Sequence, residues 1–128
     1  MKKALFSLLF ICVASSYFAQ HDGGLLENKK LPSVKLNDMK GNTVNTAALG
    51  FKGPVVISFW ATWCAPCKKE LNTIHDLYTD WQEETGVQLV AVSIDDEKTK
   101  SQVPIYVNGR AWDYLVLMDP NGDFKRAM

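Results

Sequence analysis

The feature that most constrains the fold is a hydrophobic strand that leads directly into two closely spaced cysteines. Val55–Trp60 is an almost uninterrupted apolar run, rich in β-branched and aromatic residues, and such a run is typical of a central strand buried on both faces. A short turn separates it from Cys64, and Cys67 follows after two further residues. The sequence from Ala65 onward predicts a helix, so we expect the cysteine pair to lie at a helix N-terminus.

The predicted helix has one apolar side. Its apolar side chains recur at intervals of three and four residues, which is the spacing of an amphipathic helix. They are Leu71, Ile74, Tyr78 and Trp81, with Leu77 widening the stripe. Gly86 is the predicted end of the helix.

The remaining elements alternate between strand and helix. We predict strands at 31–36, 43–45, 87–94 and 114–118, a brief helical turn at 47–50, and a tight turn at 119–122. A short helix is predicted between the N-cap Ser101 and a C-cap at Asn108 and Gly109, with Pro104 as its third residue, where proline has no intrahelical hydrogen bond to lose. This alternation indicates an α/β fold with a parallel sheet.

Composition and charge are those of a globular domain that does not bind nucleic acid. The chain has 128 residues, of which 47% are apolar and 22% charged, as in one ordinary globular domain. The formal net charge is zero. Because there is no basic excess, we expect no nucleic-acid partner.

Residues 1–19 are predicted to be a signal peptide. Lys2 and Lys3 precede an apolar segment over 4–18, and Ala19 is the predicted cleavage residue. Residues 20–30 are polar and predict a flexible segment, and 31–128 form the predicted domain. The leader predicts export to the periplasm; the alternative is an uncleaved membrane anchor, and only that alternative implies contact with a membrane.

The spacing of the two cysteines favours a redox couple. Disulfide exchange needs an exposed thiolate and a second thiol that resolves the mixed disulfide. A cysteine at a helix N-cap meets unpaired N–H groups that favour its thiolate form. Cys64 has that predicted position, and Cys67 lies one turn inside the helix. Three neighbouring residues are predicted to shape the site: Trp63, Ala65 and Pro66.

The sequence supports other roles for the same cysteines less well. A zinc or copper site needs further ligands, and apart from carboxylates only His21 and His75 are available. A purely structural disulfide across so short a loop contributes little chain entropy. A peroxidase of the peroxiredoxin type requires a Thr-x-x-Cys pattern, whereas Thr62 lies two residues before Cys64. A metal-binding, copper-delivery module and an inactive fragment remain the alternatives to an oxidoreductase.

The segment 59–70 resembles the TlpA/ResA-like branch of the thioredoxin superfamily. The flanking segments 40–44, 52–56 and 90–95 are similar to the N-terminal hairpin and the first core strands of that branch. The resemblance implies a thioredoxin-like fold with an N-terminal β-hairpin extension. It also implies a thiol–disulfide oxidoreductase without a cofactor or metal.

The resemblance implies roles for individual residues and partners. Cys64 would attack, Cys67 would resolve, and Glu70 would accept or supply a proton near the sulfurs. The implied partners are protein thiols or disulfides and a membrane or exported electron donor, with cytochrome c maturation as a common setting.

One departure from this branch lies near the C-terminus. Members carry a cis-proline loop, then a β-hairpin and a last helix, whereas this sequence reaches Met128 where the loop is expected. Pro104 lies too close to Asp95 to be that proline. We therefore expect an incomplete member that lacks the C-terminal hairpin and last helix.

Overall fold

The computed structural model describes residues 30–128. The predicted signal peptide and residues 20–29 of the predicted flexible segment lie outside the described residues. None of the helices within 30–128 combines the length and apolar character that a membrane crossing needs.

The described residues form one sheet flanked by helices on both faces. The strands are β1 (Lys35–Asp38), β2 (Thr43–Asn45), β3 (Val55–Trp60), β4 (Gln88–Ser93) and β5 (Leu115–Met118). The helices are α1 (Ala65–Thr85), α2 (Gln102–Arg110) and α3 (Asp123–Ala127), with a single 3₁₀ turn at Thr46–Ala48. The strand order is β2-β1-β5-β4-β3.

The strand pairing has the predicted character. β4 pairs in parallel with both β3 and β5, and β1 is antiparallel to β2 and β5. The predicted α/β alternation and the N-terminal hairpin are therefore both confirmed.

Alternate residues of β4 define two hydrophobic clusters. Leu89 and Ala91 belong to a cluster with residues of α1 and α2, whereas Val90 and Val92 belong to a cluster with Phe124 of α3. This is the expected pleat alternation of a strand with helices on both sides. The cysteine-bearing helix thus packs on one face of the sheet, and α3 packs on the other.

The first strand lies later in the chain than predicted. The prediction was 31–36, whereas β1 spans Lys35–Asp38. Leu31 and Val34 still pack against the second cluster, and Val34 exchanges hydrogen bonds with Thr46 rather than with a neighbouring strand. The alternating pattern therefore identified the side chains that face the core, but not the residues that pair in the sheet.

The prediction that β3 is central and buried on both faces is wrong for the described residues. Among residues 30–128, β3 pairs only with β4 and forms an edge of the sheet, and Val56 is 47% exposed. Leu77 and Trp81 of the predicted apolar stripe are likewise exposed, while Leu71 and Tyr78 are buried. An apolar pattern indicates which side chains are suited to burial, but it does not show whether another element of the fold covers them.

The second helix passes through its predicted C-cap. α2 continues to Arg110, and Ala111 ends it in the left-handed conformation with φ of 53°. Gly109 is therefore an interior helical residue, and Asn108-Gly109 was wrongly interpreted as a stop. Pro104 is the third residue of α2, as predicted.

We expect Gly109→Ala to stabilise the protein by about 0.5–1 kcal/mol, because alanine restricts the unfolded chain more than glycine does. A Cβ at Gly109 meets no atom within 4 Å. Gly86→Ala is the matched control: its Cβ also meets nothing, but φ there is 70°, so we expect destabilisation by about 1 kcal/mol. Urea denaturation measures both, and a shift of the same sign in both variants would contradict this account.

The short helix α3 was not predicted. The turn at 119–122 is present, since the Gly122 N–H donates to the Asp119 carbonyl oxygen at 2.9 Å, but a helix follows where a loop was expected. The buried carboxylate of Asp119 accepts hydrogen bonds from the backbone N–H groups of Asp123 and Lys125 at 2.7 and 2.9 Å. These bonds satisfy donors that a helix start leaves unpaired. Phe124 is then fully buried.

Candidate active site

The cysteine pair has the geometry that the sequence predicts. Cys64 is the N-cap of α1 with an extended backbone, φ −89° and ψ 93°, and Cys67 is the third residue of the helix. A disulfide joins them, with their Cα atoms 5.4 Å apart. No side chain caps the helix N-terminus. The first N–H groups of α1 are therefore available to stabilise a sulfur anion at Cys64 once the disulfide is reduced.

The residues around the disulfide differ in exposure. Trp63 is 65% exposed, and Ala65 and Pro66 are exposed as well. Both cysteines are half-buried, and Cys67 packs against the cluster that covers the α1 side of the sheet. Exposed side chains therefore border the disulfide on both sides of Cys64.

Glu70 lies on an exposed part of α1. It lines a shallow groove together with Pro66, Lys69, Thr73, Ile74 and Trp81. Among the described residues its carboxylate forms no hydrogen bond or ion pair. The proton-transfer role of Glu70 stays a prediction.

A buried carboxylate that was not predicted to belong to the site holds the loop before the cysteines. Asp95 is 1% exposed. Its carboxylate accepts hydrogen bonds from the Thr62 N–H at 2.8 Å, the Thr62 hydroxyl at 2.5 Å and the Ser93 hydroxyl at 2.7 Å. The loop between β3 and Cys64 is thus tied to the end of β4.

Asp95 remains ionised although it is buried. Burial raises the pKa of this carboxyl group, but the hydrogen bonds from Thr62 and Ser93 outweigh that effect and leave its pKa below the usual 3.8. One feature of the sequence indicates that Asp95 lies near the cysteine loop. Asp95 follows β4, the parallel neighbour of β3, and the carboxyl ends of parallel strands meet at one edge of a sheet.

Aromatic side chains surround Tyr106 of α2. The ring centroids of Trp60 and Tyr106 are 5.8 Å apart, and those of Tyr106 and Trp112 are 5.4 Å apart. Asn72 of α1 joins the group, donating to the Tyr106 hydroxyl at 3.2 Å and accepting from the Trp112 indole at 3.0 Å. Tyr106 is therefore held in a fixed position by packing and by hydrogen bonding.

Among the described residues, no donor set for a metal surrounds the cysteines. Within 30–128, no group of three or more histidine, cysteine, aspartate or glutamate side chains is placed to bind an ion.

Comparison with known proteins identifies the family. Residues 28–128 match the AhpC/TSA family. The chain belongs to the AhpC/TSA family. A relative of this chain, thiol-disulfide oxidoreductase ResA from Oceanobacillus iheyensis, is 35% identical over 93% of this chain and 65% of its own length. ResA from Bacillus thuringiensis is 30% identical over 93% of this chain and 72% of its own length.

Solved structures agree with this placement. A thioredoxin-like protein from Porphyromonas gingivalis is 50% identical, with a TM-score of 0.66 over 77% of this chain and 65% of that chain. A thiol:disulfide interchange protein DsbE from Chlorobium tepidum, at 24% identity and a TM-score of 0.61, has the same fold. This member of the AhpC/TSA family therefore has the predicted thioredoxin-like fold, and it spans about two thirds of the length of the relatives it matches.

Proposed function

We propose that this protein is an exported thiol–disulfide oxidoreductase that reduces protein disulfides through Cys64 and Cys67. The observation that carries the proposal is the disulfide between a helix N-cap cysteine and the third residue of the same helix. The relatives named thiol-disulfide oxidoreductase support it. The predicted leader supports export to the periplasm, where disulfides persist.

The proposed reaction moves two electrons from the chain to its target. The Cys64 thiolate attacks one sulfur of a target disulfide; this forms a mixed disulfide and releases the other target sulfur as a thiolate, which takes up a proton. The thiol of Cys67, losing its proton, then attacks the Cys64 sulfur. The target leaves as a dithiol, and the disulfide between Cys64 and Cys67 remains. An exported or membrane-bound dithiol donor would reduce it again.

The position of each cysteine fits its proposed role. Cys64 lies at the end of the helix dipole that favours an anion, so it is suited to attack. Cys67 lies within the same turn and packs against the core, so it is suited to reach Cys64 rather than a large target. The exposed Trp63 and Pro66 border the sulfurs and are proposed to contact the target chain. Apocytochrome c remains the substrate class implied by the TlpA/ResA-like resemblance.

The proposal predicts catalysis of insulin reduction. With dithiothreitol as the donor, we expect the protein to accelerate the precipitation of the insulin B chain. The matched control is the double variant Cys64→Ser/Cys67→Ser, which we expect to match the rate without protein. Acceleration by the double variant equal to that of the wild type would contradict the proposed function.

A further inference from the structure

A shallow apolar groove begins at the residue next to Cys64. We call it the Trp63 groove; its lining is Thr62, Trp63, Gln102, Ile105 and Tyr106. Trp63 and Ile105 are among the most exposed large apolar side chains of the described residues, at 65% and 66%. A peptide whose cystine is bonded to Cys64 has to lie beside Trp63, because the two residues are consecutive.

Two cations border the Trp63 groove at Tyr106. The Lys68 Nζ lies 5.0 Å from the centroid of the Tyr106 ring, and the guanidinium carbon of Arg110 lies 5.6 Å from it. The Lys68 backbone N–H donates to the Cys64 carbonyl oxygen at 3.1 Å. One of the two cations is thus a single helical turn from the proposed nucleophile.

These two cations have no acidic partner among the described residues. The three ion pairs found there use other basic side chains, which are His75, Lys100 and Arg126. Lys68 and Arg110 instead rest on the ring of Tyr106, whose hydroxyl is held by Asn72. In the part of the chain that the structure describes, two cations that form no ion pair thus contact one fixed aromatic ring at the edge of an apolar groove.

We propose that the Trp63 groove binds the segment beside the target cystine, and that Lys68 and Arg110 select targets with an acidic residue next to a large apolar one. This inference rests on the proposed function. The apolar residue would cover Trp63 and Ile105, and the carboxylate would meet the two cations at Tyr106. Charge complementarity of this kind favours a partner of opposite sign and accelerates encounter with it.

The test uses three cystine peptides of the same length. Each has a leucine beside the cystine, and the next residue is glutamate, glutamine or lysine. The pre-reduced full-length protein is mixed with each peptide, and the second-order rate of reduction is followed by chromatography. We expect the glutamate peptide to react about fivefold faster than the lysine peptide at low ionic strength. Addition of about 0.5 M salt is expected to remove most of that difference in rate, because salt screens the attraction between exposed charges.

A charge-reversal variant assigns the effect to the two residues. We expect Lys68→Glu/Arg110→Glu to prefer the lysine peptide. The matched control, Lys52→Glu/Lys125→Glu, makes the same change in net charge at two exposed lysines outside the groove and should keep the preference for glutamate. Lys68→Gln/Arg110→Gln, which should lose all preference, replaces the reversal variant if circular dichroism shows that the latter is unfolded.

The outcomes separate this proposal from the proposed function. Hydroxyethyl disulfide is small and neutral, so the rate at which each folded variant reduces it measures the reactivity of Cys64 without the target segment, and each peptide rate is divided by that rate. The control Lys52→Glu/Lys125→Glu should reduce hydroxyethyl disulfide at the wild-type rate. Equal rates for the three peptides with normal reduction of hydroxyethyl disulfide would overturn the selection of acidic targets alone. A glutamate preference that survives the charge reversal would also overturn it. Failure to reduce any disulfide would instead overturn the proposed function.

Discussion

Replacement of Cys64 by serine is expected to reduce disulfide exchange to the uncatalysed rate, because the serine hydroxyl cannot form the attacking thiolate. Replacement of Cys67 by serine has a different expected result. Cys64 can still attack, but no thiol resolves the product, so the mixed disulfide with the target accumulates. Non-reducing electrophoresis and mass spectrometry after mixing with oxidised insulin measure both effects.

The third cysteine provides the control for the serine variants. Cys12 lies in the predicted leader, outside the described residues, and we expect Cys12→Ser to exchange disulfides at the wild-type rate. If Cys67→Ser turned over as fast as the wild type without a trapped adduct, a dithiol mechanism would be wrong. If Cys64→Ser formed the adduct and Cys67→Ser did not, the two roles would have to be exchanged.

Loss of the buried carboxylate is expected to have the largest effect on stability. Asp95→Ala leaves three donors from Thr62 and Ser93 without their acceptor. We expect it to lower the free energy of unfolding by about 2–4 kcal/mol. Asp95→Asn retains one acceptor oxygen and should lower the free energy of unfolding by a smaller amount. Asp80→Ala, at an exposed position of α1, is the control and should stay within about 0.5 kcal/mol of the wild type.

The contribution of Asp95 should depend on pH in a defined direction. Because the pKa of the folded state lies below the ordinary value of 3.8, the ionised carboxylate stabilises the protein above pH 3.8. That contribution is lost as the pH falls from 3.8 through the folded-state pKa. Urea denaturation should therefore show that the wild type has a larger free energy of unfolding than Asp95→Asn at pH 7. This difference in free energy should become smaller below pH 3.8. A difference in the free energy of unfolding that stays constant down to pH 2 would contradict a stabilising role for the ionised carboxylate.

The parts of the fold that the sequence predicted are those determined by neighbouring residues. The bounds of β3 follow from an apolar run bordered by turns, and those of β2 follow from the turn residues that precede it. The start of α1 follows from proline in the first turn and from the helical spacing after it. The cysteine pair could be placed at a helix N-terminus for the same reason, since strand, turn and helix are consecutive.

The features that the sequence did not predict depend on residues far apart in the chain. Asp95 and Thr62 are 33 positions apart, and only the parallel pairing of β3 and β4 brings them together. The exposure of Val56 and Trp81 depends on which elements cover them, and an apolar pattern contains no such information.

The short helix α3 illustrates a different limit. The segment 119–122 was interpreted as a turn because its residues favour one. The same Asp119 also caps the helix that follows, with its carboxylate on two backbone N–H groups. Five residues are too few for a periodic apolar pattern to be recognised, so Phe124 could not be assigned to the core from the sequence.

The N-terminus of α1 is expected to make Cys64 the reactive thiol of the redox pair. The most direct test of this expectation is pulse alkylation of the reduced protein with iodoacetamide at neutral pH, followed by mass mapping of the labelled peptides. We expect Cys64 to be labelled well before Cys67, because Cys64 has the helix N-cap position and Cys67 packs against the core. Labelling of Cys67 at an equal or faster rate would contradict this expectation.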